Sequence, residues 1–267
     1  NSIPGANGFY WQPKKQEIDI RCFEEVDTVI HLSGESISKK WSKKNKKEIL
    51  ESRILSTRLL KNGLEKTLNR KISNIICSSA IGVYPNSFDE VFNEKTKIIQ
   101  NNFLQEIVIK WEKELQKLSS LTKNFSIIRI GLVLSVNGGI LPRLALPVRL
   151  FIGAAFGSGK QWQSWIHLSD LTRMFLECSE NEWYGLFNAV SPNPVTQRDF
   201  LKELGQSVNR PVFFPNIPSS IIKLILGERS ILVLGSQNVS CDLIIEKGFS
   251  FKYNKLDEAL EDIYKKV

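Results

Sequence analysis

Histidine is nearly missing from this chain of 267 residues. Only His31 and His167 occur, so a His-rich metal centre is excluded by arithmetic and no metal is expected. Cysteine is sparse as well. Cys22, Cys77, Cys178 and Cys241 stand far apart, with no CxxC pair and no neighbouring His. That argues against both a zinc site and a disulfide framework, and four reduced thiols in a cytoplasmic protein are the expectation. No run of about 20 apolar residues appears, so neither a membrane span nor a membrane partner is expected. The first residues carry no basic-then-apolar leader and no initiating Met, and residues 1–11 read like the middle of a protein.

What is present is ordinary globular composition, 42% hydrophobic and 24% charged, far from the disordered class. The length suits one large α/β domain, or a nucleotide domain with a smaller cap. The net charge is +8, and much of the excess sits in residues 39–47 (KKWSKKNKK). A nucleic-acid patch competes there with a solvated, Lys-rich helix start. Aromatic interleaving and a basic recognition helix are both lacking, so the solvated start is preferred and no nucleic-acid partner is expected.

Short apolar runs rich in β-branched residues predict strands at residues 27–32 (DTVIHL), 73–77 (SNIIC), 125–134 (FSIIRIGLVL) and 184–189. A short aromatic strand is expected at 8–12, and Trp165 to His167 opens a further unit. Between these, Leu50 and Ile54, Leu55 and Leu59, then Leu60, Leu64 and Leu68 repeat every four residues. That spacing predicts an amphipathic helix over 42–68 with Ser42 as its cap. Further helices are expected at 103–121, 169–178, 196–208 and from about 256. Strands alternating with helices imply βαβ units and a mostly parallel sheet. From Asn193 the texture changes, punctuated by Pro211, Pro215 and Pro218. The expected division is 1–192 for a nucleotide-binding domain and 193–267 for a small, mostly helical C-terminal cap.

In open α/β sheets, ligands bind beyond the carboxyl ends of the strands. That rule selects residues 32–35, 78–84 and 131–134. Ordinary strand-to-helix turns also favour Gly and Ser, and spacing alone does not choose between the two.

Motifs in these places resemble one family. VIHLSGE at 29–35 is similar to the fourth-strand motif of extended short-chain dehydrogenases/reductases, and CSSAIGVY at 77–84 to their active-site serine segment. RIGLVLS at 129–135 and GSGKQWQSWIHLSDL at 157–171 resemble an atypical branch, the NAD(P)-dependent epimerase/dehydratase-like proteins. That branch carries a C-terminal module of unknown function. Pro215, Pro218, LILGE at 224–228, SQNV at 236–239 and GFSFKY at 248–253 match it. The resemblance covers essentially the whole chain and implies a Rossmann-like, doubly wound α/β fold.

It also implies an NAD(P)-dependent oxidoreductase or nucleotide-sugar-epimerase-like enzyme with a small-molecule substrate of unknown identity. NADP is favoured over NAD. On this resemblance Leu32, Ser33 and Gly34 border the cofactor, and Glu48 and Arg53 approach its ribose and phosphate. Val133 packs on the nicotinamide side, with plain core as its alternative. Surface charge on a Lys-rich helix is the alternative for Glu48 and Arg53. Ser79 takes the place of the active-site serine, with Tyr84 supplying a phenol nearby; a helix-capping turn and a packed aromatic are the competing readings. Gln161, Trp162 and Trp165 form a substrate-side wall, or else core. His31 reads as a satisfied core residue and His167 as a structural bridge.

Two departures stand out. No GxxGxxG occurs anywhere in the sequence, although the family opens with a strand, a Gly-rich turn and a helix that holds the pyrophosphate. Either the protein is longer, or the chain binds cofactor poorly. The family's Tyr and Lys, four apart on one helix, are replaced here by Phe103 and Ile107. Neither can ionise, which favours a second possibility, a non-catalytic NADP(H)-binding sensor or scaffold.

Overall fold

Isoleucine crowds the strand-forming stretches, and its branched Cβ suits a pleated sheet covered on both faces. The computed structural model describes residues 5–67 and 72–265. In chain order its main elements begin with β1 (Thr28–His31), α1 (Lys43–Thr67), β2 (Ile72–Ala80), α2 (Phe103–Leu115) and β3 (Thr122–Ile130). They continue with β4 (Leu132–Leu134), α3 (Leu141–Arg149), β5 (Trp165–His167), α4 (Leu168–Glu180) and β6 (Gly185–Ala189). The C-terminal part adds α5 (Gln197–Ser207), α6 (Ser219–Leu226), α7 (Ile231–Leu234), α8 (Asp242–Glu246) and α9 (Leu256–Lys265).

The central sheet runs β6-β3-β2-β1, every pair parallel. Period-2 alternation sends successive side chains to opposite faces. Ile75 and Cys77 point into a cluster with Leu60 and Leu64 of α1, Trp111 and Leu115 of α2, and Ile127. Ile76 and Ile128 point the other way, against Met174, Phe175 and Cys178 of α4. Helices on both faces make this the expected Rossmann-like, doubly wound arrangement. β1 lies at one edge of the described sheet, and its Ile30 is 40% exposed.

Helix starts follow the capping rules. Ser42 accepts from the Asn45 amide at 3.2 Å, Asn102 from Gln105, His167 from Ser169, and Thr196 from Asp199. The stripe of α1 is buried at Leu59, Leu60 and Leu64; Leu68 lies outside the described residues.

Four stretches differ from the sequence expectation. The strand at 73–77 runs on through Ala80, because Ser78, Ser79 and Ala80 keep pairing with Ile128, Arg129 and Ile130. The strand at 125–134 is broken at Gly131, where the chain leaves β3 and enters β4, which pairs with β5. There the Gly131 N–H reaches the Ala189 carbonyl and the Leu132 N–H the Ser164 carbonyl. A Cβ on Gly131 would stand 2.5 Å from the Ser164 oxygen, so only glycine fits. The helix at 103–121 stays α-helical to Leu115 and tightens into a 3-10 turn, Gln116–Leu121. In that turn Ser119 Oγ donates to the Gln116 carbonyl at 2.7 Å, a local competitor of the helical ladder. Of the aromatic run at 8–12, Trp11–Gln12 pairs with Glu17–Ile18, while Phe9 and Tyr10 stand exposed among the described residues.

The C-terminal part shares its cores with the sheet. Phe200, Leu204, Leu256 and Leu260 pack with Leu134, Leu141 and Trp165, while Val239, Phe249 and Phe251 pack with Ile166 and Phe187. Asp170, fully buried, accepts the Lys252 and Tyr253 amides at 2.9 Å each and so pins the last module to α4.

Candidate functional site

The carboxyl ends of β1, β2 and β3 face one side of the molecule, the side that the topology rule selects. At the end of β1 the chain turns through Leu32, Ser33 and Gly34. Leu32 is 61% exposed there. α1 clamps this turn. The Glu35 amide donates to Ser52 Oγ at 3.0 Å, and Arg53 Nη1 donates to the Glu35 carbonyl at 3.0 Å and to the Ile49 carbonyl at 2.9 Å. The guanidinium lies over the Trp111 ring, 5.1 Å from its centroid. A Cβ on Gly34 would come within 3.2 Å of Arg53 Cζ, so the glycine lets the turn lie on the guanidinium. Arg53 Nε is buried without a hydrogen-bond partner among the described residues, and burial pulls the group down to about 10. It forms no ion pair with any described carboxylate. Glu48 stands half-buried one turn earlier on α1.

Ser79 and Tyr84 sit deeper. Ser79 Oγ donates to Glu112 Oε1 at 2.6 Å, and Glu112 is gripped at 2.8 Å by both Nε and Nη2 of Arg129. Arg129 Nη1 donates to the Tyr84 hydroxyl at 3.0 Å, which in turn donates to Asn188 at 2.8 Å. Burial opposes the charge on Arg129, but its bonds to Glu112 outweigh that and hold the guanidinium above its ordinary range. Burial likewise raises the Tyr84 phenol, with Arg129 pulling partly back. The network is a satisfied, buried one beneath the strand ends. Sequence reading missed Glu112 and Arg129. An arginine inside an apolar strand has to find a partner, and that signal would have found them.

Beyond the strand ends lies a cleft between the sheet and the C-terminal helices. Its narrow end, about 180 Å³, runs between Ile81, Gly131 and Leu132 on the sheet side and Trp162, Leu232 and Gln237 opposite. A second, larger cavity of about 490 Å³, which Gln161 lines, shares Gly235 with this narrow end. Trp162 borders the narrow end and donates its indole N–H to the Phe88 carbonyl at 2.9 Å. Trp165 is fully buried, bonded to the Asn193 carbonyl, and belongs to the core. Val133 packs half-buried against the core behind the cleft.

At the position of the family's tyrosine, Phe103 meets Trp41 edge-on at 5.1 Å and the Lys46 ammonium at 5.0 Å. Lys46 also pairs with Glu228, and Arg229 donates to the Ser38 carbonyl, so the Lys-rich segment ties α1 and α2 to the C-terminal module. Within that segment Lys39 and Lys47 also have carboxylate partners, Glu35 and Glu51. Ile107 is buried. His31 is buried beside Thr57, and desolvation lowers it to about 4. His167 caps α4 and stacks on Tyr253. Among the described residues no cluster of His, Cys, Asp and Glu could hold a metal, and no helix is long and apolar enough to cross a membrane.

Comparison with known proteins agrees with this layout. A family model described as a domain of unknown function, DUF1731, matches residues 217–263. An epimerase family protein of Staphylococcus aureus strain MRSA252 is 37% identical over 244 residues, covering 91% of this chain and 81% of that protein. A Staphylococcus epidermidis relative of the same description is 35% identical over 242 residues, with 90% and 80% covered. Among solved structures, the human epimerase family protein SDR39U1 with NADPH superposes with a TM-score of 0.85 at 27% identity, covering 91% of this chain and 83% of that one. A nucleoside-diphosphate sugar epimerase from Corynebacterium glutamicum gives 0.76 at 28% identity, covering 99% of this chain and 51% of its own. By the extent and identity of these matches, the chain belongs to the epimerase family.

Proposed function

We propose that this protein is an NAD(P)-dependent oxidoreductase or epimerase-like enzyme acting on a small molecule, with NADP(H) favoured over NAD(H). The observation that carries the reading is Arg53, a half-buried guanidinium with no carboxylate partner among the described residues, held beside the exposed turn at the end of β1. A desolvated cation without an ion pair, whose burial the more distant Glu35 charge offsets only in part, fits a phosphate. The human relative's structure, solved with NADPH, supports the same reading. In it, Leu32, Ser33 and Gly34 would carry the cofactor along their backbone, Glu48 would accept ribose hydroxyls, and Val133 would back the nicotinamide. The cofactor, when bound, supplies a hydride donor or acceptor.

The chain's own residues bind and orient. Ser79 and Tyr84 brace the strand ends through Glu112, Arg129 and Asn188, and Ser79 can donate to substrate only by releasing Glu112. Gln161, Trp162 and Trp165 shape and support the substrate side. Residues 1–192 and 193–267 divide the work between nucleotide and substrate, and four free thiols, three of them buried, suit the cytoplasm.

The sensor reading draws on Phe103 and Ile107, which leave no Tyr–Lys pair for proton transfer. Hydrogen exchange tests the cofactor site on the natural full-length protein. NADPH should slow exchange at the amides of residues 33–35; protection confined to other regions would place the cofactor elsewhere. Nicotinamide absorbance that changes with substrate then separates enzyme from sensor.

A further inference from the structure

The cavity of about 490 Å³ is an open one, bordered by the loop at 157–161, the loop at 86–88 and the helices α6 and α7. Its size is that of an ordinary small-molecule pocket. Its polar groups are selective. Gln161 is 2% exposed, and its Nε2 faces three acceptors, the Phe156 and Val233 carbonyls at 3.1 Å and Gln197 Oε1 at 3.0 Å. Those three acceptors fix the amide, since only the nitrogen can donate to them. The Gln161 Oε1 is thereby left as an acceptor, and no described residue donates to it.

Lys223 of α6 stands at the rim of the same cavity and pairs with no described carboxylate. Ser219 and Ser230 bring hydroxyls that no described residue engages. Asn86 is oriented by the Ser236 amide, which donates to its Oδ1 at 2.6 Å. No described carboxylate lines the cavity, and Ile231 and Leu234 form its apolar wall.

One cation, several hydroxyl and amide groups and a fixed acceptor define a ligand class. We infer that this cavity takes the substrate, a hydroxylated small molecule bearing one acidic group, with that group at Lys223 and a hydroxyl donating to Gln161 Oε1. The inference rests on the enzyme reading above, because the cavity shares the wall residue Gly235 with the cleft at the strand ends. Phosphate and carboxylate both satisfy Lys223, and the test separates them.

Glucose 6-phosphate, glucuronate and neutral glucose are titrated calorimetrically into the full chain and into Lys223→Met and Gln161→Leu, with NADPH titrated in parallel. At least one of the two acidic sugars should bind tenfold or more tightly than glucose. Whichever does so identifies the acidic group. Lys223→Met should erase the preference and leave NADPH affinity unchanged. Gln161→Leu should weaken acidic and neutral sugars alike. Lys223 is exposed, so its variant keeps the test sound even if the buried Gln161→Leu unfolds. Equal binding of all three sugars, no binding of any at millimolar concentration, or an unchanged Lys223→Met would overturn the assignment. NADPH binding without sugar binding refutes the cavity alone; sugar binding without NADPH binding refutes the cofactor reading alone.

Discussion

His31 shows how a single buried side chain sets a pH dependence. Its folded-state value is about 4 against 6.5 for the free side chain, because burial disfavours the charged ring. The unfolded chain therefore binds the extra proton first as pH falls. Stability from this group is intact above pH 6.5 and is lost progressively between 6.5 and 4, by about 3 kcal/mol in all. Urea titrations of wild type and His31→Gln at pH 7.5 and 4.5 should show a steeper acid loss in the wild type. Parallel losses would remove His31 as the cause. Glu112 is the second residue of consequence. Glu112→Ala strands Arg129 as an unpaired buried cation and should cost about 3–5 kcal/mol, read as a lowered urea midpoint. A loss below 1 kcal/mol would mean that water already reaches Arg129. Sequence reading recognised His31 as a core residue but placed Ser79 at a ligand without seeing Glu112. The partner lies 33 residues away on α2, and spacing carries no record of which helix covers which strand.

At the scale of elements, Gly131 is the joint between β3 and β4. Gly131→Ala would drive a methyl into the Ser164 carbonyl and Val190, and overpacking of that kind costs about 1–3 kcal/mol. Thermal melts should show the loss, whereas Gly138→Ala, whose added Cβ meets nothing within 4 Å, should stay near wild type. Asp170 is the joint between α4 and the last module. Asp170→Ala leaves the Lys252 and Tyr253 amides without their acceptor, at a cost of about 1–3 kcal/mol for the buried Tyr253 amide. Limited proteolysis should then cut first within residues 249–254; an unchanged pattern would show that the core contacts of Phe249 and Phe251 suffice. The helix α1 was legible from its apolar spacing and from Ser42 at its start, and α4 and α5 were placed to within two residues at each end. The break at Gly131 and the continuation of β2 through Ala80 were not. Both depend on pairing with strands distant in sequence, which local composition does not encode.

For the whole molecule, alternating strands and helices announced the parallel, doubly wound sheet, and the motifs at 29–35, 77–84 and 157–171 announced the family. The motif at 157–171 proves to be a junction as much as a wall. Ser164 Oγ donates to the Gln237 carbonyl, Ser236 Oγ accepts from the Trp162 amide, and Trp162 holds the loop at 88. Sheet, cleft and the C-terminal segment thus meet on Trp162 and Ser164. The charge run at 39–47 likewise turns out to bridge elements, with Lys46 on Glu228. The central claim is cofactor binding at the Arg53 turn. It is tested most directly by calorimetric titration of NADPH and NADH into the natural full-length protein and its Arg53→Met variant. The account predicts that NADPH binds more tightly than NADH and that Arg53→Met weakens NADPH at least tenfold. Binding of neither nucleotide, or an Arg53→Met variant that binds NADPH as wild type does, would contradict it.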